Sequence, residues 1–157
     1  MAAYAQSITA AGMKSLFESM QNVSDKEIIY NMCDLLNTEY AKMASDGLAV
    51  YTVTTGLQAS LEALCRRMSD AVQVEILKSF FTVLTTEFAS VETNDLGYTQ
   101  TDPSATATYG PFSTFEGLMK SSIDNYSEVL NRIMFHNLIA QIVAEHVLLV
   151  AASGAEP

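Results

Sequence analysis

The sequence predicts an all-α fold, an antiparallel bundle of four to five amphipathic helices with a small extended or hairpin insertion at about residues 97–110 before the last long helix. Three observations predict it. Val74, Leu77, Phe81, Leu84, Phe88 and Val91 recur at alternating spacings of three and four residues, which makes one continuous helical stripe. Ser24-Asp25-Lys26-Glu27 and Ser113-Thr114-Phe115-Glu116 are patterns whose serine and glutamate satisfy free amides at a helix start. Between Thr93 and Phe112 the apolar periodicity lapses, and Thr, Tyr, Pro and Gly take over.

The elements follow in order. A first helix is expected from about Tyr4 to Met20, with Ile8, Met13, Leu16, Phe17 and Met20 inward. A second starts at Ser24 and runs to about Ala44, burying Ile28, Ile29, Met32, Leu35, Leu36, Tyr40 and Met43. Ser45-Asp46-Gly47 ends it, glycine suiting the left-handed position after a helix. A third is expected over about Leu48 to Arg67, because Val50, Val53, Leu57, Leu61, Leu64 and Met68 keep helical spacing although its first half is rich in β-branched residues. Ala49, Gly56, Ser60 and Ala63 form a small-residue strip that allows close approach by another helix.

Ser69-Asp70 opens the fourth helix, which runs to about Glu92, and Val72, Ile76, Phe80 and Val83 widen its apolar stripe. In the insertion, Asp102-Pro103-Ser104 fits a type I turn. A short helix follows to about Lys120, and the last helix is expected over about Ile123 to Ala152. Its apolar positions include Tyr126, Val129, Leu130, Ile133, Met134, Leu138, Ile139, Ile142, Val143, Val147, Leu148 and Val150, which cover most of the circumference. No repeat or domain boundary interrupts the chain, so residues 1–157 read as a single helical domain.

Composition narrows the function. The chain is 49% hydrophobic and 17% charged, against a usual charged share of about 25%. A net charge of −10, with Arg66-Arg67 the one pair of adjacent cations, argues against nucleic acid as a partner. Cys33 and Cys65 sit among apolar helix neighbours and read as core residues, consistent with a reducing compartment. The first residues lack the basic and apolar regions of a secretory signal, and the apolar stretch from Ile133 to Ala144 is too short to cross a bilayer. The expected location is the cytoplasm or an assembled particle.

No motif for catalysis, cofactor or metal emerges. Ile133 and Val143 stand where a di-iron bundle places a glutamate three residues before each histidine. His136 and His146, ten residues apart on one helix, lie about 80° apart around it and cannot share a metal without other ligands. An enzyme would need a cleft where either histidine meets Cys33, Cys65 or a carboxylate. Eight methionines read as core filling, or in the sharper reading as a pliable groove for partner helices.

The apolar surplus on the fourth and last helices therefore points to a non-enzymatic structural subunit that self-assembles through apolar helix faces, as a symmetric oligomer, filament or shell component. The contacts expected to carry it are Phe80, Phe81, Phe88, Leu138 and Ile142, with Tyr98 and Tyr109 of the insertion reaching a neighbour. An alternative is an adaptor, chaperone or inhibitor that receives a helix from a different polypeptide, and a third is a bundle enclosing an apolar ligand.

Overall fold

The computed structural model describes residues 4–48, 50–92, 117, 119–124, 126 and 128–153. Among them the chain is helical with no strand, and six helices pack against one another. Five have full bounds: α1 (Ala10–Ser15), α2 (Val23–Asp46), α3 (Leu57–Cys65), α4 (Ala71–Glu92) and α5 (Val129–Ser153). The sixth is a short stretch over 119–123. The insertion expected at 97–110 and the Ser113–Glu116 pattern lie outside the described residues.

The packing follows the predicted stripes. α2 packs on α1 and α3, and α3 on α4. Ile28, Ile29, Met32, Leu36, Tyr40 and Met43 of α2 are buried, as are Leu77, Phe80, Phe81, Leu84 and Phe88 of α4. Phe135 of α5 is a hub: its ring centroid lies 4.9 Å from that of Phe17, 5.9 Å from Phe80 and 5.5 Å from Tyr126. These edge-on and tilted contacts hold the first and last thirds of the chain to α4.

Four expectations about boundaries are corrected. The chain is not helical from Tyr4. Residues 4–9 run without helix and Thr9 caps α1, its hydroxyl accepting from the Gly12 amide at 2.9 Å. The cap of α2 is Asn22 and not Ser24: the Asn22 side chain accepts from the Asp25 amide at 3.0 Å. That leaves the Asp25 carboxylate to accept from the Ser69 amide (3.2 Å) and hydroxyl (2.9 Å), tying the start of α2 to the segment before α4.

The third helix is half as long as its apolar spacing suggested. Residues 50–54 are not helical, and Val50 is 68% exposed. Here β-branched preference prevails because a partner supports it. Buried Glu39 of α2 accepts from the Tyr51 hydroxyl and from the Thr54 amide at 3.1 Å, so these two donors are satisfied without a helix. Similarly, α5 starts at Val129 and not at Ile123. Tyr126 turns into the core after a hydrogen bond from its amide to the Ile123 carbonyl (2.8 Å), and helical bonding resumes with the Arg132 amide on Glu128 (2.9 Å).

Gly47 ends α2 with φ +83° but ψ 144°, outside the left-handed helical conformation expected there, whereas Gly56, immediately before α3, is left-handed with φ +83° and ψ 7°. An added Cβ at either position meets no atom within 4 Å, so a substitution is opposed only by the backbone conformation. Gly47→Ala and Gly56→Ala should therefore each cost about 1 kcal/mol, or roughly 3 °C in Tm, in urea and thermal unfolding.

Candidate functional site

The site is α5, viewed on both faces. Arg132 and Glu145 are its only Asp, Glu, Lys or Arg residues, and apolar side chains surround most of its circumference. A helix of that kind has no strong preference for which side faces the core. Two adjacent polar residues, Glu145 and His146, both fully buried, settle the choice.

The Glu145 carboxylate receives the N-terminal segment. The Ser7 amide donates to Oε2 at 3.1 Å and the Ile8 amide to Oε1 at 3.0 Å, while the Ser7 and Tyr4 hydroxyls donate as well. Four donors on one carboxylate offset the cost of removing it from water. They also explain why residues 4–9 are not helical, since the amides of Ser7 and Ile8 are committed across the molecule. Tyr4 and Ile8 are buried as a result. Burial, and then the neighbouring Glu145, push the Tyr4 phenol far above its ordinary range, which keeps it a donor.

His146 makes the second anchor. Its Nε2 lies 2.9 Å from the Tyr40 hydroxyl of α2, and its ring stacks on Phe88 of α4 with centroids 6.1 Å apart. Tyr40 meets Phe88 edge-on at 5.2 Å, closing an aromatic triangle of α2, α4 and α5. Burial pulls the His146 pKa down to about 3, so the imidazole is neutral at pH 7, with Glu87 Oε2 3.9 Å from Nδ1.

The structure thus brings a histidine beside a carboxylate, the pairing an enzyme would need, but seals it. Tyr4, Tyr40, Glu87, Glu145 and His146 are all buried, so no substrate atom approaches them in this conformation. His136 pairs with Asp124 at 2.9 Å near the surface. Cys33 and Cys65 are buried, and desolvation pushes each thiol up to about 12, keeping it protonated. Among the described residues no three His, Cys, Asp or Glu side chains are placed to hold a metal. A polar cleft of about 360 Å³ opens near the start of α5, lined partly by Asn22, Asp25, Gln73 and Tyr126. Asp25, its buried carboxylate, is the one occupied by Ser69.

The contact residues expected from the sequence are corrected. Phe80, Phe81, Phe88, Leu138 and Ile142 are each no more than 2% exposed and pack inside the chain's own core. Tyr98 and Tyr109 lie outside the described residues. The outer face of α4 carries Glu75, Ser79, Thr82 and Thr86, so that helix is ordinarily amphipathic. Among the described residues of the long helices, the apolar face turned outward is that of α5. Val129 and Leu130 are 53% exposed, Ile133 51%, Val147 49% and Leu148 39%. With exposed Asn137, Ala140 and Ala144 they fall within an arc of about 100° and span about 28 Å of helix.

Sequence reasoning missed this face because it asked how apolar each helix is, not where its polar residues are bonded. Met134, Phe135, Leu138, Ile139, Ile142 and Leu149 lie on the opposite arc with Glu145 and His146, and all are buried. The outward arc carries Val129, Leu130, Ile133, Val147 and Leu148 with Ala140 and Ala144, and no aromatic or methionine side chain.

A scan against known protein families finds no match, and neither do searches of curated proteins and of solved structures. No helix among the described residues is long and apolar enough to cross a membrane.

Two measurements check the anchors. Glu145→Gln turns an amide N–H toward donors that need an acceptor and should cost roughly 3 kcal/mol in urea unfolding. Faster hydrogen exchange at the Ser7 and Ile8 amides should accompany it. For His146 the folded pKa of about 3 lies below the ordinary 6.5, so at acid pH the unfolded chain takes up a proton that the folded chain refuses. Its contribution is complete above pH 6.5 and is lost as pH falls toward 3, with a slope of up to about 1.4 kcal/mol per pH unit. His146→Leu should flatten the pH dependence of stability in that window relative to the unmodified protein.

Proposed function

We propose that this chain is a non-enzymatic structural subunit that assembles with copies of itself through the outward face of α5. The observation that carries this reading is the uncharged stripe of Val129, Leu130, Ile133, Val147 and Leu148 on a protein of net charge −10. Like-charged copies repel wherever charged surface meets, and this face is where approach costs least.

Magnitudes support it. At their exposures the five side chains present on the order of 400 Å² of apolar surface, in the range where patches on monomers are commonly functional. Lysine or glutamate at these positions would have left the helix anchored by Glu145 and His146 as before, so the fold does not by itself require an apolar exterior there.

Size-exclusion chromatography with light scattering tests the reading. The expected mass at tens of micromolar is a multiple of 17.1 kDa. Ile133→Glu should weaken association by about 100-fold, since it inserts a charge into an apolar contact, while the helical circular dichroism stays unchanged. A stable 17.1 kDa monomer for the unmodified protein contradicts the proposal.

A further inference from the structure

We infer that residues 4–9 form an acid-opened latch: as pH falls, the segment leaves Glu145 and admits water to His146 while the helices behind it stay packed.

The segment is built to move alone. Tyr4, Ser7 and Ile8 donate to Glu145 of α5, and Gln6 Nε2 donates to Asn37 Oδ1 of α2 at 2.9 Å, so its directional bonds reach past the adjoining α1. α1 meanwhile holds its own start. The Thr9 hydroxyl accepts from the Gly12 amide, and the Thr9 carbonyl accepts from the Met13 amide at 3.0 Å. Thr9 itself is exposed and extended, with φ −124° and ψ 157°, so rotation there frees the segment without unwinding α1. Phe17, Phe80, Phe81 and Phe135 bind the elements to one another behind it.

What the latch covers makes it sensitive to acid. Glu145, under the segment, is followed at once by His146, whose Nε2 meets the Tyr40 hydroxyl. The ionisable groups around this imidazole are Tyr4 of the segment, Tyr40 of α2 with Tyr51 and Glu39 beyond it, Glu87 of α4 and Glu145 of α5. Burial first, then Tyr4, Glu145, Glu87 and Tyr51, hold the Tyr40 phenol well above its ordinary range, which places Tyr4 against the Tyr40–His146 pair. All of these neighbours are acids, so an imidazolium formed here finds a counter-charge in Glu87, 3.9 Å from Nδ1. While the site is sealed, burial holds the His146 pKa at about 3; once wetted, it returns toward the ordinary 6.5. The open form therefore binds a proton that the closed form refuses. Each pH unit below 6.5 favours opening by up to about tenfold, until pH reaches about 3. Release gives up the burial of Tyr4 and Ile8, whereas unfolding gives up the whole core, so opening is the cheaper route to the same proton.

Amide hydrogen exchange of the full chain, corrected for the intrinsic pH dependence of exchange, tests the latch. Protection of the Ser7 and Ile8 amides should fall about 100-fold from pH 7 to pH 4.5, in step with protonation of His146 followed through its imidazole NMR signals. Leu84 in α4 should keep its protection over the same range. His146→Gln keeps a partner for the Tyr40 hydroxyl but cannot take up the proton, so its Ser7 and Ile8 amides should stay protected throughout. Equal loss at Ser7, Ile8 and Leu84 would mean global acid unfolding and overturn the inference. So would protection at Ser7 and Ile8 that does not change with pH, or that fades equally in His146→Gln. Should that variant not fold, the unmodified protein decides: a His146 that stays neutral while the segment opens overturns the latch.

Discussion

The structure depends on how one carboxylate is buried. Glu145 sits wholly inside the bundle, where a lone charge is untenable, and the N-terminal segment supplies the Tyr4 and Ser7 hydroxyls and the Ser7 and Ile8 amides that make it tenable. One residue on, His146 is held by Tyr40 and Phe88. Hydrophobic burial alone leaves α5 free to turn about its axis, since a Val, Leu or Ile is available on almost every side. Directional bonds to Glu145 and His146 remove that freedom, and with it the ambiguity about which apolar residues face water.

That single rotational choice links fold to proposed function. Because Glu145 and His146 point inward, Phe135, Leu138, Ile142 and Leu149 go with them, and Val147 and Leu148 are carried outward. The core then takes the helix's aromatic and methionine side chains, and the surface is left with a row of aliphatic ones. The self-association proposed for α5 rests on the arrangement of a polar core, a relation that composition alone does not express. The same polar core shapes the start of the chain, because the segment that would otherwise begin α1 is drawn into bonds with Glu145.

The helices were legible where a stripe was narrow and local. α2 and α4 announce their buried faces through three- and four-residue spacings, and Gly47 marks the end of α2. Two of the misread segments share a cause: each is tied to a buried glutamate of another element. Residues 4–9 answer to Glu145, and 50–54 answer to Glu39 through Tyr51 and Thr54. Periodicity records which residues are apolar and is blind to bonds across such separations. The expected contact residues failed for a related reason: the largest aromatics, Phe80, Phe81 and Phe88, were assigned to a partner when they are what the core most needs to fill.

The most direct measurement is the rate of thiol labelling of Val147→Cys and Ile142→Cys as protein concentration rises. The account predicts that the cysteine at 142 stays protected throughout. The one at 147 should react quickly in dilute solution and progressively more slowly as copies associate over it. A cysteine at 147 that is protected even at high dilution, or that labels equally fast at every concentration, would contradict the account.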